Sequence, residues 1–143
     1  MKKKIGILTS GGDCGGLNAV IRAVTTRAIT EYGWKVYGIK DGTLGMIRNP
    51  LDIVELKLTH FNGNLLRMGG TFLGSNSKGN PFKHIQKNGK KIDMSDKIIQ
   101  GFRKLKLDAL IGVGGDGSMQ ILRTLTKKGN INFIFSISKY SKI

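Results

Sequence analysis

The stretch Lys4-Ile5-Gly6-Ile7-Leu8-Thr9-Ser10-Gly11-Gly12-Asp13-Cys14-Gly15-Gly16-Leu17-Asn18-Ala19-Val20-Ile21-Arg22 decides the fold. Its first six residues read as a short buried strand, and residues 10–16 are too glycine-rich for helix or strand. From there Leu17, Val20, Ile21, Val24 and Ala28 recur at helical spacing, with Arg22, Arg27 and Glu31 elsewhere on the wheel. Gly33 ends that helix, and Trp34 to Ile39 read as a second strand. Strand, glycine turn, helix and strand make a βαβ unit with parallel strands.

Working outward, Asp41 to Ile47 suits a short helix, and Asp52 to Leu58 alternates like an edge strand. Met68 to Asn80 is a second glycine-rich loop. Lys87 to Lys91 resembles a hairpin tip, its Asn88-Gly89 suiting a type I′ turn. Ile98, Phe102 and Leu105 mark a helix from Ser95, followed by a strand over Ala109 to Val113. After Gly114-Gly115-Asp116-Gly117-Ser118 comes a helix carrying Ile121, Leu122 and Leu125, stopped at Gly129, and then a last strand from Ile131 to Ile137. The alternation predicts an α/β fold, a Rossmann-like parallel sheet covered by helices on both faces. Residues 1–143 are expected to form a single domain.

The 143 residues carry 24 Lys and Arg against 9 Asp and Glu, a formal charge of +15. Such an excess suits a nucleic-acid binder, but the cations fall on helix surfaces and polar loops without interleaved aromatics. Most are Lys rather than the base-reading Arg, so specific nucleic-acid binding is not expected. No apolar run reaches the ~18 residues of a membrane span, and the start lacks a signal-like apolar segment. A soluble, cytoplasmic protein is expected. The single cysteine, Cys14, cannot pair within the chain and reads as a small residue in a glycine turn.

Thirteen of the 21 glycines sit in residues 6–16, 69–79 and 112–117. The first and third clusters turn a buried strand into a helix, the edge of a parallel sheet where ligands bind. Glycines let an anion approach backbone N–H groups closely, and the helix start adds its positive end. Two such loops on one edge suit a polyphosphate better than two merely tight turns. Neither matches the Walker A or the G-x-G-x-x-G pattern. Asp116 can cap its helix through Ser118, or it can hold Mg²⁺ among phosphate oxygens. Asp13 sits similarly in the first loop.

Three blocks, Thr9 to Arg22, Gly69-Gly70-Thr71-Phe72-Leu73-Gly74-Ser75 and Gly114 to Ser118, together resemble the phosphofructokinase family. A Gly-Gly-Asp-Gly turn alone also suits NAD and lipid kinases, which would leave the first two blocks unexplained. The resemblance implies Mg-dependent transfer of a phosphoryl group from ATP or pyrophosphate to the 1-hydroxyl of fructose 6-phosphate, in glycolysis. Carried over by position, Gly11 offers its amide to the donor phosphates, and Gly115, Gly117 and Ser118 form the same donor loop. Asp116 is the implied magnesium ligand, and Lys78 is the nearest match to a basic residue after the second block. Gly117 favours ATP, whereas Lys139, aligned to a lost Gly-Ile-Pro-Lys, would favour pyrophosphate.

The family's Thr-Ile-Asp-Asn-Asp block, which bears the base for the sugar hydroxyl, has no counterpart, and no Asp or Glu follows Asp116. Residues 135–143 are an atypical tail. No catalytic residue is therefore assigned. The expectation is a truncated or split donor-binding N-terminal portion, inactive alone, working as a homo-oligomer or with a complementing second fragment.

Overall fold

The computed structural model describes residues 2–11, 15–76 and 79–137, the last five by backbone only. Strand β1 (Lys4–Thr9) leads to α1 (Leu17–Tyr32), β2 (Lys35–Ile39), the one-turn α2 (Leu44–Ile47) and β3 (Ile53–Leu56). A hairpin, β4 (His84–Ile85) and β5 (Lys91–Ile92), precedes α3 (Ser95–Lys104), β6 (Ala109–Gly114), α4 (Asp116–Gly129) and β7 (Phe133–Ile137). The main sheet runs β3-β2-β1-β6-β7. Four of its strands are parallel, and β3 lies antiparallel on the edge beside β2.

The edge strand read at Asp52 to Leu58 is β3, and it runs antiparallel to β2. The turn after β2 closes on itself, with Gly45 N donating to Lys40 O and Asp52 N to Gly45 O, both at 2.9 Å. Lys40 N then pairs with Asp52 O at 3.0 Å, so the chain returns along the edge it left. A parallel β3 would need a crossover helix over the sheet, and α2 has only four residues.

Each face of the sheet buries its own core, because neighbouring residues of a strand point to opposite sides. Leu8, Ile39 and Leu110 pack with Ile98, Phe102, Leu122 and Leu125, so α3 and α4 cover one face. Ile5, Ile7 and Val36 pack with Leu17, Ile21 and Ala28, so α1 covers the other. Helix α1 ends as read: Gly33 takes φ 62°, Gly33 N donates to Ile29 O and Trp34 N to Ala28 O, both at 3.0 Å. Helix α4 ends one residue later than read. Asn130 takes the left-handed turn at φ 48°, while Gly129 stays helical, buried against Ile99 and Ile131.

The hairpin forms, but not through a type I′ turn. Only Gly89 of its tip has a positive φ, 79°; Asn88 does not. Gly89 N donates to Gln86 O at 2.9 Å and Gln86 N to Lys90 O at 2.8 Å, a three-residue loop in which glycine supplies the left-handed step. At the start of α3, the Ser95 hydroxyl and amide donate to Asp93 and, with Lys128 beyond them, hold its carboxyl below the usual carboxylate range.

Thr25, on the inward face of α1, is fully buried, and its hydroxyl has no partner among the described residues. An unpaired buried hydroxyl is a net cost, and valine has the same shape without it. Thr25→Val is expected to raise stability by about 1 kcal/mol. A melting temperature unchanged or lowered would show that the hydroxyl is satisfied in solution.

Candidate functional site

Strands β1 and β6 lie side by side in parallel register, Thr9 opposite Val113, and their chains then leave in opposite directions. After β1 the chain crosses by α1 to β2 on one side. After β6 it crosses by α4 over the other face to β7. The carboxyl ends of β1 and β6 therefore frame a topological switch point, where open α/β sheets leave a crevice.

A cleft of about 540 Å³ opens there. Its floor comes from both strand ends: Ser10 and Gly11 from the first loop, Gly115, Gly117 and Ser118 from the third. The loops touch. Ser10 N donates to Val113 O at 2.9 Å, and Ser118 Oγ to Ser10 Oγ at 3.1 Å. A Cβ on Gly11 would stand 3.4 Å from Ser118 Oγ and 3.8 Å from Gly115 N. Helix α4 starts at the cleft, capped by Gly115 with no side-chain hydrogen bond to the cap, and α1 starts beyond the first loop on Gly16, likewise without one. Among the described residues no side chain accepts from the first-turn N–H groups of α4, an arrangement suited to an anion.

The second glycine loop supplies the side wall through Asn76 and Gly79. It is tied to the first block by polar side chains that sequence reasoning passed over. Thr9, fully buried, donates its hydroxyl to Gly74 O at 2.9 Å and meets Thr71 Oγ1 at 3.0 Å. Asn18, 3% exposed, accepts from Phe72 N at 2.9 Å and donates to Leu65 O at 3.2 Å. Lys40 Nζ donates to Phe72 O at 2.9 Å. Thr9, Asn18 and Thr71 fall inside the quoted motif blocks, which was the one signal available.

Asp116 is exposed as the first residue of α4, between two glycines that line the cleft, but does not itself line it. It makes no side-chain cap, which removes the capping reading, and among the described residues it has no ion pair. Beyond the glycine loops the cleft extends along Phe82, Gln120, Ile121 and Thr124. Lys78, Asp13, Cys14 and Lys139 lie outside the described residues.

Residues 4–138 match the phosphofructokinase family. The chain belongs to that family. ATP-dependent 6-phosphofructokinase 1 of Synechocystis sp. (strain ATCC 27184 / PCC 6803 / Kazusa) is 53% identical over 132 residues, which are 92% of this chain and 36% of that protein. ATP-dependent 6-phosphofructokinase 2 of Clostridium perfringens (strain 13 / Type A) is 47% identical over 89% of this chain and 35% of its own. The chain thus spans about a third of the length of the curated relatives it matches. The T-state crystal structure of Pichia pastoris phosphofructokinase superposes with a TM-score of 0.76 at 30% identity, covering 97% of this chain and 15% of that one. A pyrophosphate-dependent phosphofructokinase from Marinobacter aquaeolei shares the fold at a TM-score of 0.67 and 16% identity.

Two neighbouring glycines separate packing from ligand access. A Cβ on Gly114 would lie 2.5 Å from Ser10 O and 3.0 Å from Ser118 Cβ, whereas one on Gly115 meets nothing within 4 Å. Gly114→Ala is expected to destabilise the chain by ~1–3 kcal/mol as the two loops are forced apart. Gly115→Ala should leave the urea midpoint unchanged. Equal midpoints for both variants would show that the seam yields freely.

Proposed function

We propose that this chain supplies the phosphoryl-donor side of a phosphofructokinase active site. In this reading residues 1–143 act as one donor-binding domain for transfer from ATP or pyrophosphate to the 1-hydroxyl of fructose 6-phosphate, in the cytoplasm. The observation that carries it is the convergence of Gly11, Gly115, Gly117 and Ser118 on one cleft at the switch point. The backbone N–H groups of Gly11 and of the glycine-capped start of α4 bind the donor phosphates, and Ser118 and Ser10 hold the loops at a fixed separation. Lys78 remains the proposed basic contact.

Magnesium fits the residues present. It keeps most of its waters and takes one or two carboxylates beside substrate phosphates. Among the described residues no group of three or more His, Cys, Asp or Glu could hold a metal, while Asp116 offers one unpaired carboxylate at the cleft's helix start. When bound, the ion supplies neutralisation of charge on the phosphate oxygens. Asp116 would hold it there.

The cleft's extension past the glycine loops favours ATP. Bare pyrophosphate has no use for an apolar wall of Phe82 and Ile121, whereas a nucleoside has. The acceptor's base comes from outside these residues, since no carboxylate follows Asp116. A segment outside residues 1–143 would provide it. The far edge of β7, paired only with β6 among the described residues, offers a place for a further strand. No helix among the described residues is long and apolar enough to cross a membrane.

Asp116→Asn is expected to weaken binding of MgATP about tenfold or more while leaving the thermal transition in place, because the carboxylate packs against nothing. Calorimetry with Mg²⁺ that finds equal affinity in variant and parent would remove the metal role.

A polypeptide of these 143 residues should form no measurable fructose 1,6-bisphosphate. Transfer needs donor, metal and acceptor hydroxyl in line, and loss of a general base alone costs ~10²–10⁴ in rate. Slow donor hydrolysis by water is compatible with this. Product formed by pure protein and abolished by Asp116→Ala would overturn it.

A further inference from the structure

The described lining of the cleft read above as the donor site is uncharged. Among the described residues that line it, none is cationic and none acidic. Amides and hydroxyls can hold a polyanion once it has arrived, but their field falls off over a few ångströms. Long-range attraction has to come from full charges nearby.

Those charges stand on the segment that continues the cleft wall. Phe82 lines the cleft, and Lys83 follows it directly, at the entry to the β4–β5 hairpin. The hairpin carries Lys87, Lys90 and Lys91, and all four lysines are exposed. None of the four makes an ion pair among the described residues. The sequence contains no Asp or Glu from Leu56 to Ile92, and the Asp93 that follows is engaged by Ser95 and Lys128. The hairpin also turns back on itself, with Lys91 opposite Ile85, which keeps its charges near the wall.

A lone two-stranded hairpin adds little to a fold, so its placement and charge call for another role. We propose that Lys83, Lys87, Lys90 and Lys91 form an electrostatic funnel that steers an anionic polyphosphate donor into the cleft. The proposal rests on the donor-cleft reading and adds to it the residues that set the association rate. Lys87 is five residues from Phe82, hence no more than ~18 Å away along extended chain. The Debye length is about 30 Å at 0.01 M salt and about 8 Å at 0.15 M. The hairpin charges therefore reach the cleft at low salt and are screened at high salt.

The test is the rate of association of a fluorescent ATP analogue with Mg²⁺, followed by stopped flow on the full chain. The variant is Lys87→Gln/Lys90→Gln/Lys91→Gln. A control of equal net charge, Lys2→Gln/Lys104→Gln/Lys127→Gln, changes cations at the opposite edge of the sheet. For a ligand of about two net negative charges, the hairpin variant should associate about three- to fourfold more slowly at 0.01 M salt, and within about 1.5-fold of the parent at 0.15 M. The control triple should match the parent at both. Equal rates for hairpin variant and parent at 0.01 M would overturn the proposal, as would an equal loss in the control, which would make net charge alone responsible. A parent chain that shows no saturable binding would overturn the donor-cleft reading itself, and the funnel with it.

Discussion

The seam between the ends of β1 and β6 is the constraint on which the site depends. Ser10 N reaches Val113 O at 2.9 Å, and a Cβ on Gly114 would stand only 2.5 Å from Ser10 O. A side chain at that position would push the loops apart and disturb the pairing of Thr9 with Val113. Because the strands stay in register, Ser118 can reach Ser10 across more than a hundred residues of chain. Because the crossovers diverge from the same seam, α1 and α4 settle on opposite faces, each over its own core. One close approach thus fixes the cleft floor and the two-sided packing together.

The second loop is held differently. It has one fully buried anchor, Leu73, and an edge-on contact of Phe72 with Phe61 at 5.8 Å. Its polar restraints come from the first block, the Thr9 hydroxyl and the Asn18 amide, and from the chain just after β2, the Lys40 ammonium and the Asp41 amide on Leu73 O. A buried amide such as Asn18 is tolerated only when paired, and both its ends are. Such pairing is directional where apolar packing is not, so the loop is set in one position against the cleft. The first and second sequence blocks are therefore one structural unit, although about fifty residues separate them.

The elements legible in the sequence were those with a strong period and a glycine stop. Helices α1, α3 and α4 and strands β1 and β6 lie where Leu17 to Ala28, Ile98 to Leu105 and Ile121 to Leu125 placed them. What escaped was set by partners distant in the chain or by a single backbone angle. The direction of β3 depends on how the turn at Lys40 to Asp52 closes, and its periodicity is the same either way. Asn88-Gly89 suits two hairpin types, and only the φ of Asn88 separates them. Thr9 reads only as the last residue of a strand and Asn18 only as part of a motif block, because their partners lie at positions 65–74. Of the candidate site residues, Gly11, Gly115, Gly117 and Ser118 converge on the cleft, because a glycine turn after a buried strand has only one edge of the sheet to occupy.

Capping adds an argument about what that edge is for. A Ser, Asp or Asn at the start of a helix is worth about a few tenths of a kcal/mol over glycine, and α1 and the cleft's α4 both begin on glycine. The protein does use side-chain acceptors where no ligand is proposed. Asp93 accepts from the Ser95 amide and hydroxyl at the start of α3, and Asn80 from Phe82 N in the turn before the hairpin. Helix starts without such acceptors leave N–H groups in need of a partner. At α4 those groups border a cleft whose described lining is uncharged, and Asp116 stands beside it with no described partner. Amides without acceptors beside a carboxylate without a cation form an incomplete electrostatic set. A phosphate chain carrying a divalent cation completes both halves at once, which neither a bare anion nor a bare metal can do.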